Sequence, residues 1–275
     1  MSNNELDLVS LEKNLINDFL ESLLKDPSHL GFAKNFGSQL INEQRKQLIK
    51  GEFFALLSQH FGNRASRILK QGQWGHESKP DWFDHRHHFL NPDEEFKNSW
   101  TESISLVLRL LPRNGSVLNL CAGDAFYDHY FLKNSASRIT CVDLKPKDDF
   151  KDYLIKKHTI HENVDYIFED VLSFKPRKVR YDIVWIRGAI EHFSGKNQIK
   201  IFELAKESLN EGGWFVGDTP ANPAKQATKQ HAMHENEWSN VNEAEEILRN
   251  YFSEIHVYSL FCNCDGRETI FWKCR

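Results

Sequence analysis

Residues 116–146 read SVLNLCAGDAFYDHYFLKNSASRITCVDLKP. An apolar run, Val117-Leu118-Asn119-Leu120-Cys121, feeds a small-residue turn at Ala122-Gly123; a helical segment follows, and a second apolar run ends in Asp143. Strand, turn, helix and strand, with an acid at the tip of the second strand about twenty residues past the glycine, form the βαβ unit of nucleoside-binding sheets. The turn brings backbone N–H groups to a ligand, and the terminal carboxylate has lone pairs enough to accept both hydroxyl protons of a ribose.

The nucleoside is not held by its phosphates. A pyrophosphate needs several glycines so that backbone amides can surround it at a helix N-terminus. Gly123 is the only glycine between Gly115 and Gly188, and Asp124 puts negative charge where a phosphate would sit. A ribose with a cationic or zwitterionic tail suits this turn better. The chain here resembles the class I S-adenosylmethionine-dependent methyltransferases, whose first motif is hydrophobic-Asp-x-Gly-x-Gly-x-Gly; Asn119, Cys121, Gly123 and Ala125 stand at its four key positions. Later segments follow in the same order. Val164-Asp165-Tyr166-Ile167-Phe168-Glu169-Asp170 resembles the third strand, and the stretch from Tyr181 to Phe193, ending Glu191-His192-Phe193, resembles the fourth strand and its loop. Leu209-Asn210-Glu211-Gly212-Gly213-Trp214-Phe215-Val216 resembles a helix end, a glycine turn and the fifth strand.

Around this unit the chain divides near residue 92. Before it, Leu8, Leu11, Leu15, Phe19 and Leu23 trace one face of a helix ending at Pro27; Leu40, Gln44, Leu48 and Leu56 trace another. Residues 1–92 are thus expected to form a helical appendage and an aromatic, polar connector, and residues 93–275 the donor-binding domain. Trp100, Ile104, Val107, Leu108 and Leu111 predict a helix stopped by Pro112. Beyond it strands alternate with helices, as in a doubly wound parallel sheet. Asn242 to Phe252 reads as a helix, Glu254 to Phe261 and Thr269 to Lys273 as a hairpin. The expected fold is therefore a Rossmann-like α/β methyltransferase sheet of seven strands with a C-terminal antiparallel hairpin.

Composition excludes more than it selects. The chain has 275 residues, 40% of them hydrophobic, enough for one large core and an appendage. A net charge of −4 and a pI near 6.4 offer no footprint for nucleic acid. No apolar run approaches a membrane span and no leader is evident, so a cytoplasmic protein without membrane partners is expected. The five cysteines are expected to be reduced thiols. Oligomeric state is left open, a homo-oligomer included.

The resemblance implies roles for particular residues. S-adenosyl-L-methionine is the implied cofactor. Asn119, Cys121, Ala122, Gly123, Asp143, Leu144, Asp170 and Val171 fall where the family holds it, with Arg86 and Arg187 as candidates for its amino-acid tail. Methyl transfer to oxygen gains from a base. His192, in the loop after the fourth strand, is the first candidate and His234, in the long loop after the fifth, the second. Trp82, His85, Glu191 and Glu235 are the candidates for the acceptor. No metal is expected: His85 and His87 share one side of an extended segment but lack further ligands. The expected reaction is O-methylation of a polar small molecule such as a sugar or nucleotide-linked sugar. A noncatalytic methyltransferase-like subunit, an N-methyltransferase of a small metabolite, a nicotinamide-dependent oxidoreductase and a metal-assisted methyltransferase stay open beside it.

Overall fold

The computed structural model describes residues 94–144, 163–176, 179–225, 230–263 and 266–275, with the side chains of residues 94–100 and 130 excepted. The predicted appendage and connector, with Trp82, His85 and Arg86, lie outside the described residues.

The first described element is α1 (Glu94–Leu110), whose Ile104, Val107 and Leu108 are buried at helical spacing. It ends just before Pro112, which has no N–H to continue the ladder. Seven strands follow: β1 (Ser116–Leu120), β2 (Arg138–Asp143), β3 (Val164–Phe168), β4 (Tyr181–Arg187), β5 (Leu209–Pro220), β6 (Ile255–Cys262) and β7 (Arg267–Cys274). They lie side by side in the order β3-β2-β1-β4-β5-β7-β6. β1 to β5 pair in parallel, and β7 runs antiparallel to both β5 and β6. The expected seven-stranded sheet with its C-terminal hairpin is the sheet observed.

This order fixes the crevice. Strand order reverses between β1 and β4, and in open α/β sheets the carboxyl ends of the strands at such a reversal leave a cleft for ligand. The core beneath is built from Leu118, Leu120, Val184, Ile186, Phe215 and Trp272, all fully buried. A β-carbon at Gly217 would sit 2.1 Å from the Trp272 ring and 2.7 Å from the Ile186 carbonyl oxygen. The glycine therefore lets the β7 indole lie directly across β5. α2 (Gly195–Ser208) buries Ile201, Phe202 and Ala205 against the sheet, and α3 (Val241–Arg249) is capped by Asn240, whose side chain accepts the Glu243 N–H.

Two elements depart from the sequence reading. The segment after the Gly123 turn is not a regular α-helix; residues Asp128–Leu132 form a π-helical turn, closed by the Lys133 N–H on the Asp128 carbonyl at 2.9 Å. The wider turn directs the Asp128 carboxyl towards β1 while Phe131 and Leu132 stay buried. The second is β5, which begins at Leu209 and contains Gly212-Gly213 rather than following them. Its pairing with β4 jumps from Tyr181↔Leu209 to Ile183↔Trp214, so the two glycines are absorbed in an irregularity of the strand.

The thiols also differ from expectation. Cys121, Cys141 and Cys274 are free, but Cys262, at the end of β6, is disulfide-bonded. Among the described residues no helix is long and apolar enough to cross a membrane.

Candidate active site

The sequence reading assigns the donor to the turn between β1 and the π-helical segment. Cys121, Gly123 and Ala125 have φ of 57°, 59° and 52°, so three alternate residues occupy the left-handed region. These are the positions at which the resembled motif has glycine. Only Gly123 takes this conformation without steric cost; a side chain there costs roughly 1–2 kcal/mol. The packing around the turn holds it nonetheless: Ala122 and Ala125 are buried, and the Ala122 N–H donates to the Val142 carbonyl at 3.2 Å.

Side chains from the neighbouring strands complete the turn. Asp143, at the tip of β2, accepts the Gly123 N–H on Oδ2 at 2.7 Å and the Leu144 N–H on Oδ1 at 2.7 Å. From β3, the Tyr166 hydroxyl donates to the Gly123 carbonyl at 2.5 Å. Burial pushes the Asp143 carboxyl up to about 6, against the downward pull of those two N–H groups. Two amides use only part of a carboxylate's accepting capacity. Leu144 is exposed beside it.

Asn119 does not carry the charge that the motif's acid would. Its Nδ2 donates to Asp128 Oδ2 at 2.7 Å, wholly inside the protein. Burial pushes Asp128 up to about 7, although Asn119 and the Cys141 thiol pull it down by hydrogen bonding. The acid absent from β1 is thus present one turn later, behind the loop. Asp170 is exposed and caps its own turn, accepting the Leu172 N–H at 2.9 Å, while Val171 packs into the core. Arg187, at the tip of β4, is buried with its guanidinium 4.2 Å from the Tyr127 ring centroid and Asp218 opposite it on β5. The Asp218 carboxyl is raised by burial and drawn back by Arg187 and Ser103.

The residues that the sequence reading assigns to the acceptor end come from two loops. After β4 a single 3₁₀ turn, Ile190–His192, presents Glu191 and His192. The long loop after β5 returns over it, because the Glu191 carbonyl accepts the N–H groups of Glu235 at 2.8 Å and Asn236 at 3.2 Å. This brings His234 to His192, with ring centroids 4.9 Å apart and the rings nearly perpendicular. His192 Nδ1 lies 3.3 Å from the Met233 carbonyl, and His234 Nδ1 is hydrogen-bonded to Glu237. Desolvation lowers the pKa of His192 below the ordinary imidazole value, with the neighbouring His234 and His231 acting in the same direction. Glu191 is buried, accepts the Thr219 hydroxyl on Oε2 at 2.9 Å, and is pushed up to about 7 by burial.

The strand order and the C-terminal hairpin are those of a known fold. A family of methyltransferase domains matches residues 80–262. The chain belongs to this methyltransferase-domain family. With its seven-stranded sheet it is a class I S-adenosylmethionine-dependent methyltransferase, and S-adenosylmethionine is its methyl donor. Solved structures agree in fold. The N-methyltransferase NodS of Bradyrhizobium japonicum, crystallised with S-adenosyl-L-homocysteine, superposes with a TM-score of 0.54 at 13% identity, covering 77% of this chain and 97% of that one. The PH0226 protein of Pyrococcus horikoshii reaches 0.51 at 16% identity over 67% of this chain and 92% of its own. The YcgJ protein of Bacillus subtilis also reaches 0.51 at 16% identity, over 62% and 97%. No curated protein matches the chain.

In this methyltransferase most of the described site residues of the sequence reading form two groups, while Asp170, Val171 and Arg187 belong to neither: Asp170 caps its own turn, Val171 packs in the core and Arg187 lies against Tyr127. Asn119, Cys121, Ala122, Gly123, Asp143 and Leu144 converge at the donor turn, and Glu191, His192 and His234 at the acceptor end. Glu235 is exposed and joins the acceptor end through its backbone. Three further side chains that hold the candidate residues in place were not anticipated. Glu237 fixes His234, Thr219 fixes Glu191, and Gln198 clamps the two loops together. Gln198 Nε2 donates to the Ile190 carbonyl at 2.9 Å and the Asn236 carbonyl at 2.7 Å, while Oε1 accepts Asn236 Nδ2–H at 2.9 Å and Trp238 Nε1–H at 3.1 Å. The signal available in sequence was Glu237, three residues past His234 and able to reach it.

Proposed function

We propose that this methyltransferase transfers its methyl group to a hydroxyl oxygen of a polar small molecule, such as a sugar or nucleotide-linked sugar. The observation that carries this reading is the acceptor end itself. Two imidazoles stand beside a buried carboxylate, and each is anchored at Nδ1, so that Nε2 offers a lone pair. A hydroxyl needs its proton weakened or removed before it attacks a methyl carbon, whereas a neutral amine already has a free lone pair. His192 and His234 are therefore assigned as the catalytic pair, with Glu191 and Glu235 at the acceptor.

The donor-side assignment follows the same logic. The lone pairs of Asp143 left by Gly123 and Leu144 accept the ribose hydroxyls, and the Cys121–Ala125 turn lies against the donor. Arg187, enclosed by Tyr127 and Asp218, supports the crevice floor in this reading, and Asp170 shapes the loop beside the adenine. Residues 93–275 form the donor-binding domain, to which the connector contributes Trp82, His85 and Arg86. The net charge of −4 supports a small-molecule acceptor over nucleic acid.

Incubating the protein with methyl-labelled S-adenosylmethionine and matched panels of polyhydroxylated and amino acceptors tests the reading. Label appearing in ethers supports it, and label confined to amines overturns it. His192→Ala is expected to slow turnover about a hundredfold, the usual share of acid–base assistance, with affinity for S-adenosylhomocysteine unchanged. Undiminished turnover would move the role to His234.

A further inference from the structure

The acceptor end contains more electron-pair donors than proton removal requires. Glu191, His192 and His234 each offer one donor atom, and the three atoms lie within 4.8 Å of one another. The rest of each side chain is already committed. A carbonyl oxygen only accepts, so the His192 Nδ1 facing Met233 carries the proton and Nε2 keeps the lone pair. His234 has the same tautomer against the Glu237 carboxylate. Glu237 is itself steadied by Asn222 Nδ2–H and the Gln230 N–H. Metal-binding histidines are built this way, with the outer nitrogen given to a carboxylate or carbonyl that fixes the tautomer and sharpens the ligand. Glu191 supplies the third element: a carboxylate enclosed by protein is costly unless charge of the opposite sign meets it.

We propose that Glu191, His192 and His234 bind one divalent first-row cation, such as zinc, through the Glu191 carboxylate and the two Nε2 atoms, and that the ion holds the acceptor's hydroxyl oxygen. The inference rests on the transfer to oxygen proposed above and supplies its means of activation. Imidazole and carboxylate donors sit about 2.0–2.2 Å from such an ion, hence roughly 3.3 Å from each other in a tetrahedral shell. Glu191 and His234 are buried and His192 only partly so, which makes His192 the ring that closes by up to about 1.5 Å onto the ion. Three protein ligands leave a position for the acceptor. The bound hydroxyl becomes more acidic and releases its proton to solvent water. The oxygen lone pair then forms the C–O bond to the methyl carbon, while the C–S electron pair stays on sulfur, leaving S-adenosylhomocysteine.

Cobalt(II) is the probe, because its visible d–d absorption reports nitrogen and oxygen coordination without any turnover. The tag-free full-length chain, stripped with a chelator, is expected to bind one equivalent with a saturable spectrum, and zinc is expected to displace it. Glu191→Gln and His234→Ala abolish the spectrum, and Glu237→Gln weakens cobalt binding about 10- to 100-fold, as the loss of an outer partner does. Calorimetry with S-adenosylhomocysteine, which binds at the other end of the crevice, reports whether each variant is folded. An absent spectrum, a spectrum that survives Glu191→Gln, or one dominated by thiolate charge transfer overturns the ion site. If the ion site is absent while hydroxyl acceptors are still methylated, the two imidazoles act as bases and the proposed function stands. Cobalt binding with methylation of amines alone removes the proposed function and with it the ion's role in activation.

Discussion

The two ends of the crevice are held by different means. The donor end is a backbone construction: three left-handed residues in five, with the central amide and carbonyl fixed by Asp143 and Tyr166 from the two neighbouring strands. The proposed acceptor end is a side-chain construction, in which Gln198, Glu237, Asn222 and Thr219 hold Glu191, His234 and their loops. A backbone turn tolerates changes of residue as long as its torsions survive. A network of buried hydrogen bonds does not, since every lost partner strands another polar group without water.

That contrast can be broken most severely at Gln198. Gln198→Ala removes all four of its hydrogen bonds and takes the partner from Trp238 Nε1–H, Asn236 Nδ2–H and the Asn236 carbonyl, so we expect a loss of about 3 kcal/mol in urea unfolding. Donor affinity in the surviving folded protein should be nearly unchanged; a parallel collapse of donor binding would mean that the two ends are one cooperative unit. The matching test at the donor end is Asp143→Ala, which removes the ribose acceptor and strands the Gly123 N–H. Affinity for S-adenosylhomocysteine, read by calorimetry, is expected to fall about a hundredfold, or about 3 kcal/mol.

A gentler comparison uses pH. Asp143 is raised in the fold to about 6 from its ordinary value of 3.8. A raised carboxyl favours the unliganded fold at low pH, and this contribution is lost as pH rises from about 4 to about 6. Donor binding has the opposite sign, because only the ionised form accepts two hydroxyl protons. Affinity for S-adenosylhomocysteine should therefore fall about tenfold per pH unit below about 6. Asp143→Asn should flatten the curve, and an unaltered slope in that variant would assign the titration elsewhere.

The smallest effect concerns the strained positions. At an ordinary helical site alanine is more stable than glycine by about 1 kcal/mol. At Cys121, with its φ of 57°, the order should reverse: Cys121→Gly is expected to be more stable than Cys121→Ala by about 1 kcal/mol in thermal or urea unfolding. Equal stabilities would show that the turn relaxes once the thiol is gone.

Much of this architecture was readable from the chain. Apolar runs located β1 and β2 and the resemblance located β3, β4 and β5, and the spacing of Asp143 from Gly123 anticipated their proximity, because a βαβ unit returns the tip of its second strand beside the first turn. Glu191, His192 and His234 were candidates from the family resemblance, their loop positions and the chemistry of imidazole. What remained hidden has a common cause. Gln198 meets Asn236 and Trp238 across a gap of about forty residues, and a hydrogen bond between distant loops leaves no periodic mark. Asp170 illustrates the converse difficulty, since a carboxylate that caps a turn and one that meets a ligand are the same residue type in the same place. The π-helical turn was equally invisible, because its apolar residues at Phe126, Tyr127, Phe131 and Leu132 also fit a regular helix.

The left-handed positions bear on how the donor is met. An unrestrained chain visits such torsions rarely at cysteine or alanine, so the fold has restricted this loop before any ligand arrives. Little conformational freedom is left there to surrender on association, and the docking of the nucleoside resembles insertion into a finished mould.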